Sequence, residues 1–262
     1  MLYLFVDLCT NKYTIPMRIL TWNMQGGHSS AAGKETVLLQ ILNSGEYDVV
    51  CVQEATAPLA SFKDSIFPGL FPIQKRMPPP RYPPRGVNHI YEYTAVYYPW
   101  GANLRCSQVI YIKTAVMSAT AFPMTISATG FPGTRGMLCV PTVAGRWVCS
   151  VHLISGAPAG ARGQFTSFIT QANANVLFAT GYVVVGDFNI NAFDPVHYPP
   201  LPAAVPGGTF HHSAMVTQVS GGCLDYMYAR VPVIPLPVAV ARVDMPGTYS
   251  DHSRVSFDVP GL

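Results

Sequence analysis

Short runs of apolar residues, each long enough for one β-strand, recur along most of the chain and predict a strand-rich protein. At least eight runs are visible: "MRILTW" (17–22), "YDVVCVQ" (47–53), "SQVIYIK" (107–113), "GMLCVP", "RWVCSVHL", "YVVVGDF", "CLDYMYA" and "RVSFDV". Helical patterns are fewer, the clearest being "KETVLLQILNS" (34–44) and "ARGQFTSFITQANANVLFAT" (161–180). Strands in this number, with helices between them, predict two stacked sheets with helices on the outside.

The chain of 262 residues shows no repeat and no domain linker, so we expect one large core. The first sixteen residues are apolar at the start, but they lack the basic beginning and the cleavage site of a signal peptide. We therefore predict an N-terminal extension over 1–16 and a single domain over 17–262. Residues 72–86, "PIQKRMPPPRYPPRG", predict a proline-stiffened loop.

Composition narrows the range of functions. Only 11% of the residues are charged, against ~25% in typical soluble domains, and no apolar run is long enough for a membrane span. So few charges favour apolar surface patches and partner subunits, although a chain rich in Ala, Val and Pro gives the same percentage. A net charge of +3 is too small for a protein that grips nucleic acid through charge alone, so any such contact is local.

The six cysteines have none of the spacings of a zinc site. Cys139 and Cys149 lie symmetrically about the turn "TVAGR", which predicts a hairpin in which they face each other. A disulfide and two packed thiols both fit this position.

Polar residues end several of the apolar strands. Asn23, Glu54, His152 and Asp187 each come at or just after such an end. Asn189 follows Asp187, Asp225 lies inside a later run, and the loop "TYSDHS" supplies Asp251 and His252. Taken singly, each also fits an ordinary turn or helix cap.

Several carboxylates near buried strand ends are costly unless a cation, a proton or a hydrogen-bond donor compensates them. Carboxylates and amides with few imidazoles suit a hard divalent ion, Mg²⁺ or Mn²⁺, rather than zinc. Together with two histidines they offer what phosphodiester hydrolysis needs: an activated water, neutralised phosphoryl charge and help for the leaving group.

Six motifs in order resemble those of the endonuclease/exonuclease/phosphatase superfamily, the group of deoxyribonuclease I. They are "TWNMQGG", "VVCVQEA", "SVHLISG", "VVVGDFNI", "GGCLDYMYA" and "YSDHSRVSF", and they cover the chain from Arg18 to Val259. Within that superfamily the details are most similar to the catalytic B subunits of cytolethal distending toxins and the related typhoid-toxin subunit. The segment 190–212 and the proline-rich loop depart from the toxin pattern.

The resemblance implies an α/β fold, a four-layer sandwich of two mixed β-sheets with helices outside. It implies a metal site at Glu54, with Asn23 and Asp251 near it. Its implied catalytic residues are Asp187 for the attacking water, Asn189 for the phosphate, His252 with its tautomer fixed by Asp225, and His152. Arg105 and Arg135 match phosphate-backbone arginines, and the inserted Leu104 makes Arg105 the poorer match.

Three hypotheses follow. The first is a metal-dependent toxin-type deoxyribonuclease, delivered by partner subunits, secreted by a bacterium and acting in the host nucleus to cause DNA damage and cell-cycle arrest. The second keeps the chemistry but takes a phosphoinositide or sphingo-phospholipid. The third is a non-catalytic binding subunit, which loss of a catalytic residue would favour, and the sequence retains the whole set.

Overall fold

The computed structural model describes residues 16–25, 32–59, 62, 64–65, 73–76, 92–101, 104, 106–131, 133, 135–198, 207–231, 238–245, 247, 249–260 and 262. The strands, in chain order, are β1 Met17–Asn23, β2 Val49–Gln53, β3 Asp64–Ser65, β4 Ile73–Arg76, β5 Tyr93–Tyr98, β6 Gln108–Lys113, β7 Met124–Ile126, β8 Met137–Pro141, β9 Trp147–His152, β10 Tyr182–Asp187, β11 Thr209–His212, β12 Asp225–Arg230, β13 Ala239–Arg242 and β14 Val255–Val259. The two α-helices are α1 Ala32–Ser44 and α2 Pro158–Ala174, and a 3₁₀ turn covers Val176–Phe178.

The strands form two mixed sheets. The first sheet has eight strands in the order β13-β14-β1-β2-β6-β5-β4-β3, and the second has six in the order β11-β12-β10-β9-β8-β7. At the centre of each sheet lies one parallel pair joined by a helix, β1 with β2 through α1 and β9 with β10 through α2. All other neighbours are antiparallel.

Three apolar layers hold the sandwich together. Because side chains alternate along a strand, Val183 and Val185 of β10 enter the layer between the sheets, whereas Tyr182 and Val184 face α2. The other outer layer packs α1 against the first sheet. The order helix, sheet, sheet, helix is the four-layer α/β sandwich that the sequence predicts.

Strand β5 was not among the predicted runs, although it is buried along its whole length. Tyr93 and Tyr97 can be buried because their hydroxyl groups form hydrogen bonds inside the protein. Tyr93 donates to the carbonyl of Tyr47, and Tyr97 donates to the carbonyl of Thr56. Tyrosine-rich segments such as this one are therefore core strands despite their polar atoms.

The loop prediction for 72–86 is wrong at its beginning, because Ile73–Arg76 forms β4. These four residues contain no proline, so their backbone amides are free to pair with β3 and β5. Residues 77–86 lie outside the described part of the chain, as do residues 1–15 of the predicted extension.

The hairpin around "TVAGR" is confirmed by the pairing of β8 with β9, which sets Cys139 directly opposite Cys149. Both thiols are buried and free, which settles the alternative in favour of packed thiols. Burial raises the pKa of Cys149 well above its usual value, and the neighbouring Cys139 raises it further.

Candidate active site

Polar side chains replace apolar ones where the central strands end, on the faces that the two sheets turn toward each other. Asn23 pairs with Gln53 at the ends of β1 and β2, and Asp187 pairs with His152 at the ends of β10 and β9. Asp225, which opens the antiparallel β12, lies opposite Asp187 at the same edge. Each continues the alternation that places apolar residues between the sheets further along its strand.

One hydrogen bond joins the two sheets at this edge: Asn23 Nδ2 donates to Asp187 Oδ2 over 2.9 Å. Beneath it, Gln53 Nε2 donates to Ser150 Oγ over 3.0 Å, again from one sheet to the other. Because the sheets are fastened at two levels, the strand ends are held at a fixed separation.

Carboxylates and imidazoles alternate across the opening. His152 Nε2 lies 3.6 Å from Glu54 Oε1 and 3.5 Å from Asp187 Oδ2. His252 Nε2 lies 3.8 Å from the same Asp187 oxygen and 3.9 Å from Asp251 Oδ1. The structure thus gathers into one site five predicted side chains that come from four separate parts of the sequence.

His252 is the charged imidazole of the site. Its Nδ1 donates to Asp225 Oδ2 over 2.8 Å, and both side chains are buried. Burial alone would lower the pKa of His252, but the carboxylates of Asp225, Asp187 and Asp251 outweigh it and raise the pKa to about 10. Near neutral pH the ring is therefore an imidazolium with its Nε2 hydrogen toward Asp187.

His152 is the neutral imidazole. Burial lowers the pKa of His152 well below its usual value, and the charges of Arg135 and His252 lower it further. Arg135 Nη1 contacts His152 Nδ1. The two histidines therefore flank Asp187 in opposite protonation states.

The carboxylate of Asp187 is buried among the other ionisable groups of the site. Burial raises the pKa of Asp187 to about 6, opposed by His252 and increased by Asp225. Its two oxygens accept from Asn23 Nδ2 and from the backbone amide of Asn189. The other oxygen of Asp225, Oδ1, is buried without a hydrogen-bond partner among the described residues.

Three residues at or next to the site have a positive backbone φ angle. Gln25, Glu54 and Asn189 have φ values of 48°, 54° and 51°, in the left-handed region that residues with a side chain seldom adopt. Two of these turns are closed by a side chain, because Asn23 Oδ1 accepts from the Gln25 amide and Asp187 Oδ1 from the Asn189 amide. Such strain is tolerated where the surroundings fix it, often at functional sites.

The donor set fits a hard divalent ion. Ligand atoms of Asp187, Asp225 and His252 lie within 4.8 Å of one another, a spacing that a metal ion can use. An imidazolium has no free lone pair, however, so protonated His252 does not ligate. The side chains of Glu54 and Asp251 are more open, 18% and 30% exposed, and offer carboxylate oxygens at the mouth of the site.

Two predicted residues need separate mention. Asn189 is at the site, but one hydrogen of its side-chain amide is already donated to the carbonyl of Leu153 over 2.9 Å. Arg105 lies outside the described residues, although its neighbour Leu104 is described and is exposed.

Two residues that hold the site in place were not predicted. Thr217 Oγ1 accepts from the backbone amides of Leu224 and Asp225, and so fixes the start of β12. Ser250 Oγ donates to the carbonyl of Asn23 over 2.7 Å, which ties the loop of Asp251 to β1. Both are small hydroxyl residues in turns, and nothing in the sequence distinguishes them from ordinary turn residues.

A buried cluster of carboxylates and imidazoles at the open edge of a double-sheet sandwich defines a hydrolase-type site. The model of the endonuclease/exonuclease/phosphatase family matches residues 20–252. The chain therefore belongs to this family and is a phosphoesterase by class.

Solved structures with the same fold include the Haemophilus ducreyi cytolethal distending toxin, which is 20% identical with a TM-score of 0.72. The match covers 93% of this chain and 98% of that one. The Actinobacillus actinomycetemcomitans toxin is 21% identical with a TM-score of 0.70, over 92% and 97% of the two chains. Truncated Caenorhabditis elegans TDP2 is 13% identical with a TM-score of 0.63, over 94% and 97%.

No curated protein sequence matches this chain. At these identities the structural likeness establishes the fold. Among the described residues, no helix is both long and apolar enough to cross a membrane.

Proposed function

We propose that the protein is a Mg²⁺-dependent phosphodiesterase that nicks DNA. The observation that carries the proposal is the alternation of Glu54, His152, Asp187, His252 and Asp251 across one opening, with a charged and a neutral imidazole on either side of Asp187. Hydrolysis of a phosphodiester needs a hydrogen-bond donor to the phosphoryl oxygens and a group that orients the attacking water, and this arrangement offers both.

The surroundings of each side chain favour a different catalytic role. Asp187, with its raised pKa, orients and deprotonates the attacking water, while Asn189 holds the phosphate. His252, kept protonated by Asp225, donates its Nε2 hydrogen toward the leaving oxygen. His152 donates to a phosphoryl oxygen.

Glu54, Asp251 and Asn23 would hold the metal ion, Mg²⁺ with Mn²⁺ as the alternative. When bound, the ion supplies charge neutralisation at the phosphoryl oxygens. The buried Asp225 Oδ1, which has no hydrogen-bond partner among the described residues, supports a cation in this place.

The DNA substrate and the toxin role rest on the likeness to the two toxin structures, and we extend them to partners and place. We propose delivery by companion subunits, secretion from a bacterium and action in the host nucleus. Arg105 belongs to this proposal as a contact to the DNA phosphates.

A second substrate class has a specific observation in its favour. Val219, whose backbone amide donates to the Asp251 carbonyl, is exposed, and so are Met245 and Tyr249 nearby. Apolar side chains beside the opening suit a phosphoinositide or sphingo-phospholipid better than a polyanionic strand.

The deciding experiment measures plasmid nicking and phosphoinositide phosphate release in parallel, with Mg²⁺ or with EDTA. We expect nicking with Mg²⁺ that is lost in EDTA and in His152→Ala and His252→Ala. His197→Ala serves as the control, because this histidine pairs with Asp194 on the surface, outside the site. Nicking that persists in EDTA and in both site variants rules the mechanism out, release from lipid alone favours the second substrate, and inactivity toward both favours a binding subunit.

A further inference from the structure

Arg135 lies beside the active site in a position that the resemblance alone does not explain. The resemblance implies a contact to phosphate, but Arg135 Nη1 contacts His152 Nδ1. In the β8–β9 hairpin, Leu138 pairs with Ser150, so the chain just before β8 runs alongside His152.

The backbone of Arg135 is fixed from behind by helix α2. Gln164 is fully buried, and its Nε2 donates to the Arg135 carbonyl over 2.9 Å. The same side chain accepts from the backbone amide of Ile154 over 2.9 Å, two residues after His152. One buried amide group thus sets the arginine segment and the histidine strand at a fixed distance from each other.

The direction of the contact decides the form of the imidazole. A guanidinium has only donors, so His152 Nδ1 must accept and carries no hydrogen. The ring hydrogen is then on Nε2, the atom that lies 3.5 Å from Asp187 Oδ2 and 3.6 Å from Glu54 Oε1. His252 is held the opposite way, with Nδ1 donating to Asp225.

We propose that Arg135 is a positioning residue that acts through His152, holding its ring in the Nε2–H form with that donor turned to the scissile phosphate. The inference rests on the proposed phosphodiesterase function and assigns its two histidines different partners. Asp225 accepts from Nδ1 of His252, and Arg135 donates to Nδ1 of His152, so each ring is held by its Nδ1 atom and turns its Nε2 atom to the site.

The first test needs no substrate. In metal-free protein labelled with ¹⁵N-histidine, we expect NMR to show His152 hydrogenated at Nε2 and bare at Nδ1. Arg135→Ala should mix the two tautomers, while Arg162→Ala, which removes another partly buried arginine on α2, should leave His152 unchanged. A hydrogen on His152 Nδ1 in the unmodified protein overturns the proposal even if the enzyme proves to be a nuclease.

The second test is a double-mutant cycle on phosphodiester cleavage. We expect Arg135→Ala to lower kcat by about 10- to 100-fold, and to add less than about twofold once His152 is already alanine, because its effect passes through the ring. An equal loss from Arg135→Ala in both backgrounds means a separate phosphate contact and overturns the proposal. Equal melting temperatures for all four proteins exclude misfolding as the cause.

Discussion

The Nδ1 atom of His252 lies 2.8 Å from Oδ2 of Asp225, with both side chains buried at the edge where the two sheets open. The only other described Asp–His pair of this length, Asp194 and His197 at 2.7 Å, is partly exposed and lies outside the site. The chain therefore contains the same Asp–His contact in a buried and in a partly exposed environment. The partly exposed pair serves as a control for substitutions in the buried pair.

Asp225→Asn should lower the pKa of His252 from about 10, because the variant removes both the nearest opposing charge and the hydrogen-bond acceptor of Nδ1, and leaves only Asp187 and Asp251 to oppose burial. The pKa is measured by NMR titration of the imidazole in metal-free protein. Activity should fall about 10²- to 10⁴-fold in the same variant. Asp194→Asn should leave the titration of His252 unchanged, and a His252 pKa that stays near 10 in Asp225→Asn would contradict the assignment.

The protonation of His252 also predicts how stability depends on pH. An unfolded histidine titrates near pH ~6.5, so between that pH and about 10 the folded state holds one more proton than the unfolded state. The stabilisation is fully present below pH ~6.5 and is lost as the pH rises toward 10, by up to about 1.4 kcal/mol per pH unit.

Urea denaturation in EDTA across this range measures the effect as the difference between the unmodified protein and His252→Gln. The variant should have the flatter profile, and His197→Gln should keep the original slope. Identical slopes in all three proteins would show that His252 is not the group that gains the proton.

The alternation of side chains along each strand explains why part of the site could be predicted from the sequence. Asn23, His152 and Asp187 end strands whose alternate residues are apolar and inward-facing, so period two alone predicts that they meet between the sheets. The contact of Arg135 with His152 had a signal too: the hairpin symmetry about Cys139 and Cys149 brings the residues before β8 beside His152.

Other parts of the structure depend on neighbours that only the folded chain provides. Strands β3 and β13 are two and four residues long, and they become strands because a longer strand lies beside each. Thr217 accepts from the backbone amide of Asp225, eight residues further on, and Ser250 donates to the carbonyl of Asn23 at the other end of the chain. Such contacts exist only after the sheets have formed, and for this reason no local pattern predicts them.

Metal binding should depend on the two more open carboxylates. Glu54→Gln and Asp251→Asn are each expected to weaken Mg²⁺ binding at least about tenfold in calorimetry without substrate, since each removes a charged oxygen ligand. Mg²⁺ should raise the melting temperature of the unmodified protein and raise it less in either variant. Glu46→Gln, which breaks a surface ion pair with Arg18, should bind Mg²⁺ normally.

A substitution at Gly186 tests how closely β9 and β10 must approach each other. Its φ is +144°, and a Cβ at this position would lie 2.0 Å from the carbonyl oxygen of Val151, the residue before His152. Gly186→Ala should therefore cost about 3 kcal/mol or more of unfolding free energy and displace Asp187 from His152, which lowers activity as well. Gly145→Ala is the matched control: φ is +74°, but nothing lies within 4 Å of the added Cβ, so only the backbone penalty of about 1–2 kcal/mol applies. Denaturant unfolding measures both costs, and equal losses at the two glycines would mean that the β9–β10 contact leaves room for a side chain.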